Sequence, residues 1–249
     1  MNVVVTAGGT RAPIDDVRHI ANVSTGRFGA SIAEAALRRG ASVWYVHAPP
    51  ALRPFDLASR FDLDAPDPLA EHDRLDRLRD DWLAARDRYH PVPLTTGTVP
   101  EYAGRLESVL RERPIDVVFL AMAASDFAPE PIVGKIPSDA ETLTLRCRRL
   151  PKVIRSVRDR SPSTYLVGFK LLSSAPHADL IRQALAGCRS NRADLTIAND
   201  LSTLRAGQHT IHLVRPDRPT ETLGPGGSIA DALIDRVFTW AAGRQTRVG

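Results

Sequence analysis

Five clusters rich in small, polar or charged residues, four of them at the end of an apolar run, have the chemistry of a pocket for a nucleotide or a phosphorylated metabolite. Gly8-Gly9 follows Val3, Val4, Val5 and Thr6, and Ser24-Thr25-Gly26 comes after a polar stretch. Ser125-Asp126 closes DVVFLAMAA, Phe169-Lys170 closes YLVGFK and Asn199-Asp200 closes DLTIAND. Glycine lets the backbone turn and approach a ligand without a Cβ in the way. A helix that opens on small residues leaves N–H groups and the positive end of its dipole facing an anion.

These clusters must be held by strands and helices, and the apolar pattern supplies both. Residues 3–6, 42–48, 116–124, 165–170 and 194–200 read as strands buried on both faces, with short ones at 92–96 and 209–214. Ile32, Ala33, Ala36 and Leu37 share a helical face, Arg38 and Arg39 fall in the last turn, and Gly40 stops the helix. Further helices are expected at 99–113, from Pro151, at 177–189 and at 228–242. The alternation predicts an α/β fold on a mostly parallel sheet, where loops after several strands meet at a binding crevice.

Two stretches break the alternation. Residues 51–93, rich in proline and aspartate, read as an insertion around one helix at 73–89, with Leu75, Leu78, Trp82, Ala85 and Tyr89 along one stripe and a solvated charged face. Residues 128–149 read as a flap: prolines and Gly134-Lys135-Ile136, then an exposed strand at 142–149.

Several function classes are disfavoured. Gly26 and Gly29 lack the third glycine of a dinucleotide loop, and no GxxxxGK[ST], GxSxG or YxxxK motif occurs. Cys147 and Cys188 stand apart from each other and from ligand-spaced histidines, which argues against a zinc site or a disulfide framework. The net charge is only +4 and the arginines are interspersed with aspartates, as in DRLDRLRDDWLAARDR, so no nucleic-acid groove is expected. No long apolar run and no basic leader is visible, so the expectation is a single cytoplasmic domain over 1–249 with no membrane partner.

The stretch VTAGGTRAPIDDVRHIANVSTGRFG closely resembles the N-terminal signature of phosphopantothenoylcysteine synthetases, the phosphopantothenate-cysteine ligases of coenzyme A biosynthesis. AMAASDF, Gly134-Lys135-Ile136, LPKVI, GFK and ANDL continue the match in the family's order. GFKLL and ANDLSTLRAGQH look most like the stand-alone bacterial synthetases, without a flavin-dependent decarboxylase domain in front.

The resemblance implies a three-layer Rossmann-like fold and ligation of 4'-phosphopantothenate to cysteine through an acyl-nucleotide, with CTP or ATP and Mg²⁺. CTP is favoured by the bacterial likeness, while the insertion is similar to the longer ATP-using members. It assigns catalytic roles to Asn22, toward the acyl carbonyl or pantetheine chain, and to Lys135, closing over the acyl-nucleotide. Gly8, Gly9, Ser24, Thr25 and Gly26 would hold phosphates. Ala121, Met122, Ala123, Asp126, Pro151, Lys152, Val153, Ile154 and Phe169 would hold the nucleotide. Arg18 would lie near the substrate and a homodimer contact, or form a loop salt bridge. Metal ligands are not assigned.

Two departures stand out. Lysines that relatives place after the fifth strand are Ala186 and Ser190 here, with Arg182, Arg189 and Arg192 nearby, and a second flap lysine is replaced around Pro137-Ser138. They leave open a nucleotide-binding paralogue with weak ligase activity. An NAD(P)-dependent oxidoreductase would suit the bare architecture.

Overall fold

The computed structural model describes residues 1–139 and 141–248, so Ala140 of the expected flap and Gly249 of the expected domain lie outside the described residues. In chain order the elements are β1 (Asn2–Ala7), β2 (Arg11–Pro13), β3 (His19–Ala21), α1 (Arg27–Arg38), β4 (Ser42–His47), α2 (Pro68–Ala85), β5 (Tyr89–Pro93), α3 (Val99–Glu112) and β6 (Val117–Leu120). They continue with β7 (Phe127–Pro129), β8 (Cys147–Arg149), α4 (Val153–Arg160), β9 (Tyr165–Leu172), α5 (His177–Ser190), β10 (Leu195–Asp200), α6 (Leu201–Arg205), β11 (Ile211–Val214), β12 (Glu221–Leu223) and α7 (Ile229–Val248).

An eight-stranded sheet of order β12-β11-β10-β9-β6-β1-β4-β5 forms the middle layer, parallel from β10 to β5 and antiparallel at β11 and β12. Side chains alternate across it. Val3 and Val5 face α1 and α7, while Val4 meets the layer of α3 and α4 together with Val118 and Leu166. Both faces are covered, which is why the central strands read as continuous apolar runs. The fold is α/β and Rossmann-like, and the chain leaves β1 toward β4 on one side and returns to β6 on the other, so the crevice lies beyond the carboxyl ends of β1 and β6.

Where the boundaries differ from the sequence reading, a hydrogen bond explains it. The helix expected at 73–89 is Pro68–Ala85, because the Asp67 carboxylate caps the N–H groups of Leu69 (2.9 Å) and Ala70 (3.1 Å) with Pro68 in the first turn. The strand expected at 92–96 is Tyr89–Pro93: Glu101 captures the N–H groups of Thr95, Thr96 and Gly97, which ends the strand there. The stretch 51–93 thus ends in the edge strand of the main sheet, where Pro91 and Pro93 are tolerated. Only Cys147–Arg149 of the strand expected at 142–149 forms one, paired with β7. The polar stretch after β1, expected as an open loop, is the β2–β3 hairpin, and α6 and β12 were not expected. No helix among the described residues is long and apolar enough to cross a membrane.

Helix α1 sits close on β1 because Gly29 faces Ala7: a Cβ there would stand 2.7 Å from the Ala7 Cβ. Gly104 in α3 meets nothing within 4 Å. Gly29→Ala gains at most ~1 kcal/mol of helix propensity but incurs an overpacking cost of about 1–3 kcal/mol, and should lower stability. Gly104→Ala has only the gain, roughly 0.5–1 kcal/mol. Urea unfolding of the two variants should move in opposite directions.

Candidate functional site

The crevice is built where the turn after β1 crosses the loop after β6. Ala123 N donates to the Gly8 carbonyl (2.8 Å), and the Ala123 carbonyl accepts from Thr10 N (3.0 Å) and from Asn22 Nδ2 (2.8 Å). Asn22 N in turn donates to the Thr10 carbonyl at 3.3 Å. No side chain fits at the centre of this crossing: a Cβ on Gly9 would lie 2.3 Å from the Asn22 carbonyl oxygen. Gly8 has a left-handed φ of 92° and packs on Ala48 and Ala51. Asn22 therefore keeps one amide N–H and its Oδ1 for a guest.

Ser24-Thr25-Gly26 leads into α1, as the sequence indicated. Gly26, at φ 74°, precedes the first helical residue, and no side chain caps it. The Ser24 and Thr25 hydroxyls accept from Gly26 N and Arg27 N at a long 3.4 Å each. With no carboxylate in the first turn, the positive end of the α1 dipole is unopposed and suits an anion.

The expected nucleotide residues divide. Met122 N donates to Thr6 Oγ1 (3.1 Å) and Ala123 N to Gly8, so those two N–H groups are satisfied within the protein; Ala121 is half-buried beside them. Asp126 and Lys152 are neighbours, Nζ to Oδ1 3.9 Å, and Leu150 N donates to the Asp126 carbonyl, which brings Pro151 to the same edge. Val153 is buried, and Ile154 lies under Gly168, where a Cβ would be 2.9 Å from its Cδ1. Phe169 is half-buried and meets Phe28 edge-on, centroids 6.1 Å apart.

Lys135 is not in this cluster. It sits exposed on the flap, which is fastened to the tip of the β2–β3 hairpin on both sides of the lysine: Gly134 N donates to the Asp16 carboxylate (3.0 Å) and Ile136 N to the Asp15 carboxylate (3.1 Å). Arg18 completes the latch, donating to Asp15 Oδ2 (2.9 and 2.5 Å) and to the Ile136 carbonyl (2.8 Å). Of its two sequence-based readings, the loop salt bridge is the one this geometry contains. Arg18 and Asn22 are four positions apart, about 13 Å at ~3.3 Å per strand residue, so the latch sits at the end of the hairpin away from the Ala123 crossing. Asp15 and Asp16 had no role in the sequence reading. Their spacing to Arg18, an aspartate pair followed closely by an arginine, was the available signal.

Arg182, Arg189 and Arg192 do not offer free charge in place of the missing lysines. Arg182 pairs with Asp179 (2.9 Å), Arg189 with Asp217 (3.4 Å) and Arg192 with Asp159.

Comparison with known proteins gives a consistent picture. The model of the DNA/pantothenate metabolism flavoprotein C-terminal domain matches residues 1–72 and 97–240. The chain is similar to the coenzyme A biosynthesis bifunctional protein CoaBC of Thermococcus kodakarensis, 29% identical over 215 residues, covering 86% of this chain and 45% of that protein. It is similar to the human phosphopantothenate--cysteine ligase, 28% identical over 271 residues, covering 94% of this chain and 84% of that one. The crystal structure of a DNA/pantothenate metabolism flavoprotein from Streptococcus pneumoniae superposes with a TM-score of 0.76 at 26% identity, covering 96% and 99% of the two chains. The chain spans about half the length of the bifunctional relatives that it matches.

The latch sets a pH expectation. The Arg18 guanidinium holds the Asp15 carboxyl well below the usual carboxylate range, helped by the N–H groups of Ile136, Val17 and Arg18 and opposed by burial. A depressed carboxyl stabilises above its unfolded pKa and loses that contribution only as pH falls through the folded value. Amide exchange of Ile136, corrected for intrinsic rate, should therefore stay protected between pH 7 and 4. In Asp15→Asn it should be fast throughout.

Proposed function

The chain belongs to the family of DNA/pantothenate metabolism flavoprotein C-terminal domains, and from that premise we propose that it is a phosphopantothenate-cysteine ligase acting in the cytoplasm. The observation that carries the proposal is the crossing at Ala123, which sets Asn22 beside an uncapped helix N-terminus at the carboxyl ends of β1 and β6.

In the proposed reaction a carboxylate oxygen of 4'-phosphopantothenate attacks the α-phosphorus of a nucleoside triphosphate, and the bond to the β-phosphate breaks to release pyrophosphate. The cysteine amine, as the free base, attacks the acyl carbon. The bond to the nucleotide oxygen breaks, the nitrogen sheds its proton, and the amide and nucleoside monophosphate leave. Both steps gather negative charge, so fixed donors and cations are what the protein must provide.

Ser24, Thr25 and Gly26 at the α1 terminus receive phosphate oxygens, and the remaining Asn22 N–H holds the acyl carbonyl. Phe169 packs against the base and Asp126 lies at its edge. CTP is the proposed nucleotide, with ATP as the alternative. Magnesium would enter with the triphosphate and neutralise its charge. Among the described residues no group of three or more His, Cys, Asp or Glu side chains gathers as a metal site.

Lys135 neutralises the oxyanion during amine attack. The latch ties the flap to the hairpin tip, and in this proposal the flap moves, or a second copy of the chain presents the lysine. A homodimer is part of the proposal, and the hairpin and flap supply its apolar surface in Val17, Ile20, Val23, Ile132 and Val133, all exposed.

Pyrophosphate release from purified protein with 4'-phosphopantothenate and Mg²⁺ tests the reading. Release is expected with CTP in preference to ATP, followed by cysteine-dependent amide formation. Lys135→Gln should accumulate acyl-nucleotide while amide formation slows by about 10²-fold, the scale of one lost oxyanion donor. No release with either nucleotide, from folded protein, overturns the ligase. In light scattering, Val133→Asp should shift the expected dimer to monomer.

A further inference from the structure

A second cavity, of about 460 Å³, lies outside the crevice, between α2 and the segment that follows β4. Phe55, Leu75, Leu78, Trp82 and Tyr89 form its walls, and Arg53, Asp56 and Arg79 are its charged lining. Half of this lining, Leu75, Leu78, Arg79, Trp82 and Tyr89, lies in the stretch at 73–96 that the family model leaves unmatched. Size and lining are those of a small-molecule site: mostly apolar and aromatic, with few polar groups.

Three features go beyond an unfilled gap. Arg53 is paired with Asp56 (3.3 Å), whereas exposed Arg79 has no ion-pair partner among the described residues, so the lining carries one uncompensated positive charge. The Tyr89 hydroxyl is buried without a hydrogen bond. Burial pushes that phenol up to about 12, so it remains a donor at neutral pH. Phe55 is held at a left-handed φ of 70°, an unfavourable conformation for a bulky residue, by its N–H bond to the Glu34 carboxylate (3.0 Å) and by Trp82 edge-on at 5.6 Å.

We propose that this cavity binds a small carboxylate with a flat apolar body, its ring between Phe55, Leu78 and Trp82 and its acid group at Arg79. The site is wired to the phosphate loop through one residue. Leu52, adjoining Arg53, donates its N–H to the Thr25 carbonyl (2.9 Å) and accepts from Tyr45 Oη (2.6 Å), whose ring lies 6.1 Å from that of Tyr89. Occupancy of the cavity is therefore read at Thr25, which makes it an effector site. The proposal does not depend on the ligase reading.

The test titrates 2-naphthoate into the whole protein, followed by amide chemical shifts and tryptophan fluorescence, with neutral 2-naphthylmethanol alongside. Saturable one-to-one binding of naphthoate is expected, with shifts that reach Thr25 and Arg27. Arg79→Ala should weaken naphthoate by about ten-fold, the worth of one charged hydrogen bond, and leave the alcohol unchanged. Leu75→Trp, or Ser59→Phe if the first variant does not fold, should fill the cavity and abolish binding of both. Absence of saturable shifts, equal binding by the filled variant, or indifference to Arg79→Ala overturns the site. Shifts confined to residues 53–89 overturn its coupling to the phosphate loop.

Discussion

At the carboxyl edge of the sheet, backbone has to meet backbone with nothing between. The Ala123 carbonyl receives Thr10 N and Asn22 Nδ2 together, which fixes the loops after β1 and β6 and the end of the hairpin against one another. This convergence exists only because Gly9 has no Cβ to strike the Asn22 carbonyl and Gly8 none to strike Ala48 and Ala51. Other groups are recruited to the same purpose. Thr6 Oγ1 bonds Met122 N and contacts Tyr102 Oη, and Thr10 Oγ1 accepts from Ser125 N at 2.9 Å. Buried polar groups in this number are tolerated because each is satisfied, and a satisfied network holds a loop more rigidly than apolar packing would.

The layers were legible because buried parallel strands leave an unambiguous signature. β1, β4, β6, β9 and β10 are short apolar runs, and α1 declares itself by its spacing and by Gly40. Boundaries were less legible wherever a side chain intercepted the backbone. Glu101 draws three N–H groups away from what would have been a longer β5, and Asp67 starts α2 at Pro68, seven residues before its apolar stripe begins at Leu75. The hairpin was hidden for another reason. Its strands are three residues each and β3 is wholly exposed, so no alternation marks it.

The sequence put the candidate residues at strand ends, where the structure brings several of them together, but it did not show their connections. Asn22, Ser24-Thr25-Gly26 and Ala123 do converge, but which N–H groups remain free is decided by long-range partners such as Thr6 and Gly8. The latch is of the same kind: Asp15 and Ile136 are 121 residues apart in sequence, and their bond follows from the path of the whole chain.

Charge decides how such a site could handle a triphosphate. Each arginine on or just after α5 already has an aspartate, and although such exposed pairs are weak, a cation shared with a carboxylate presents less field to a phosphate than a bare lysine. Lys170, half-buried beside Phe169, and Lys135 on the flap are the lysines without an ion-pair partner among the described residues, while Lys152 is shared with Asp126. Under the proposed function, neutralisation of a triphosphate would rest on the dipole of α1, on Lys170 and on a lysine carried by a separate, latched element. In that reading charge compensation is complete only with the flap lysine at the phosphates. On the same reading, affinity for the nucleotide is coupled to Asp15 and Asp16, the carboxylates that hold the flap in place.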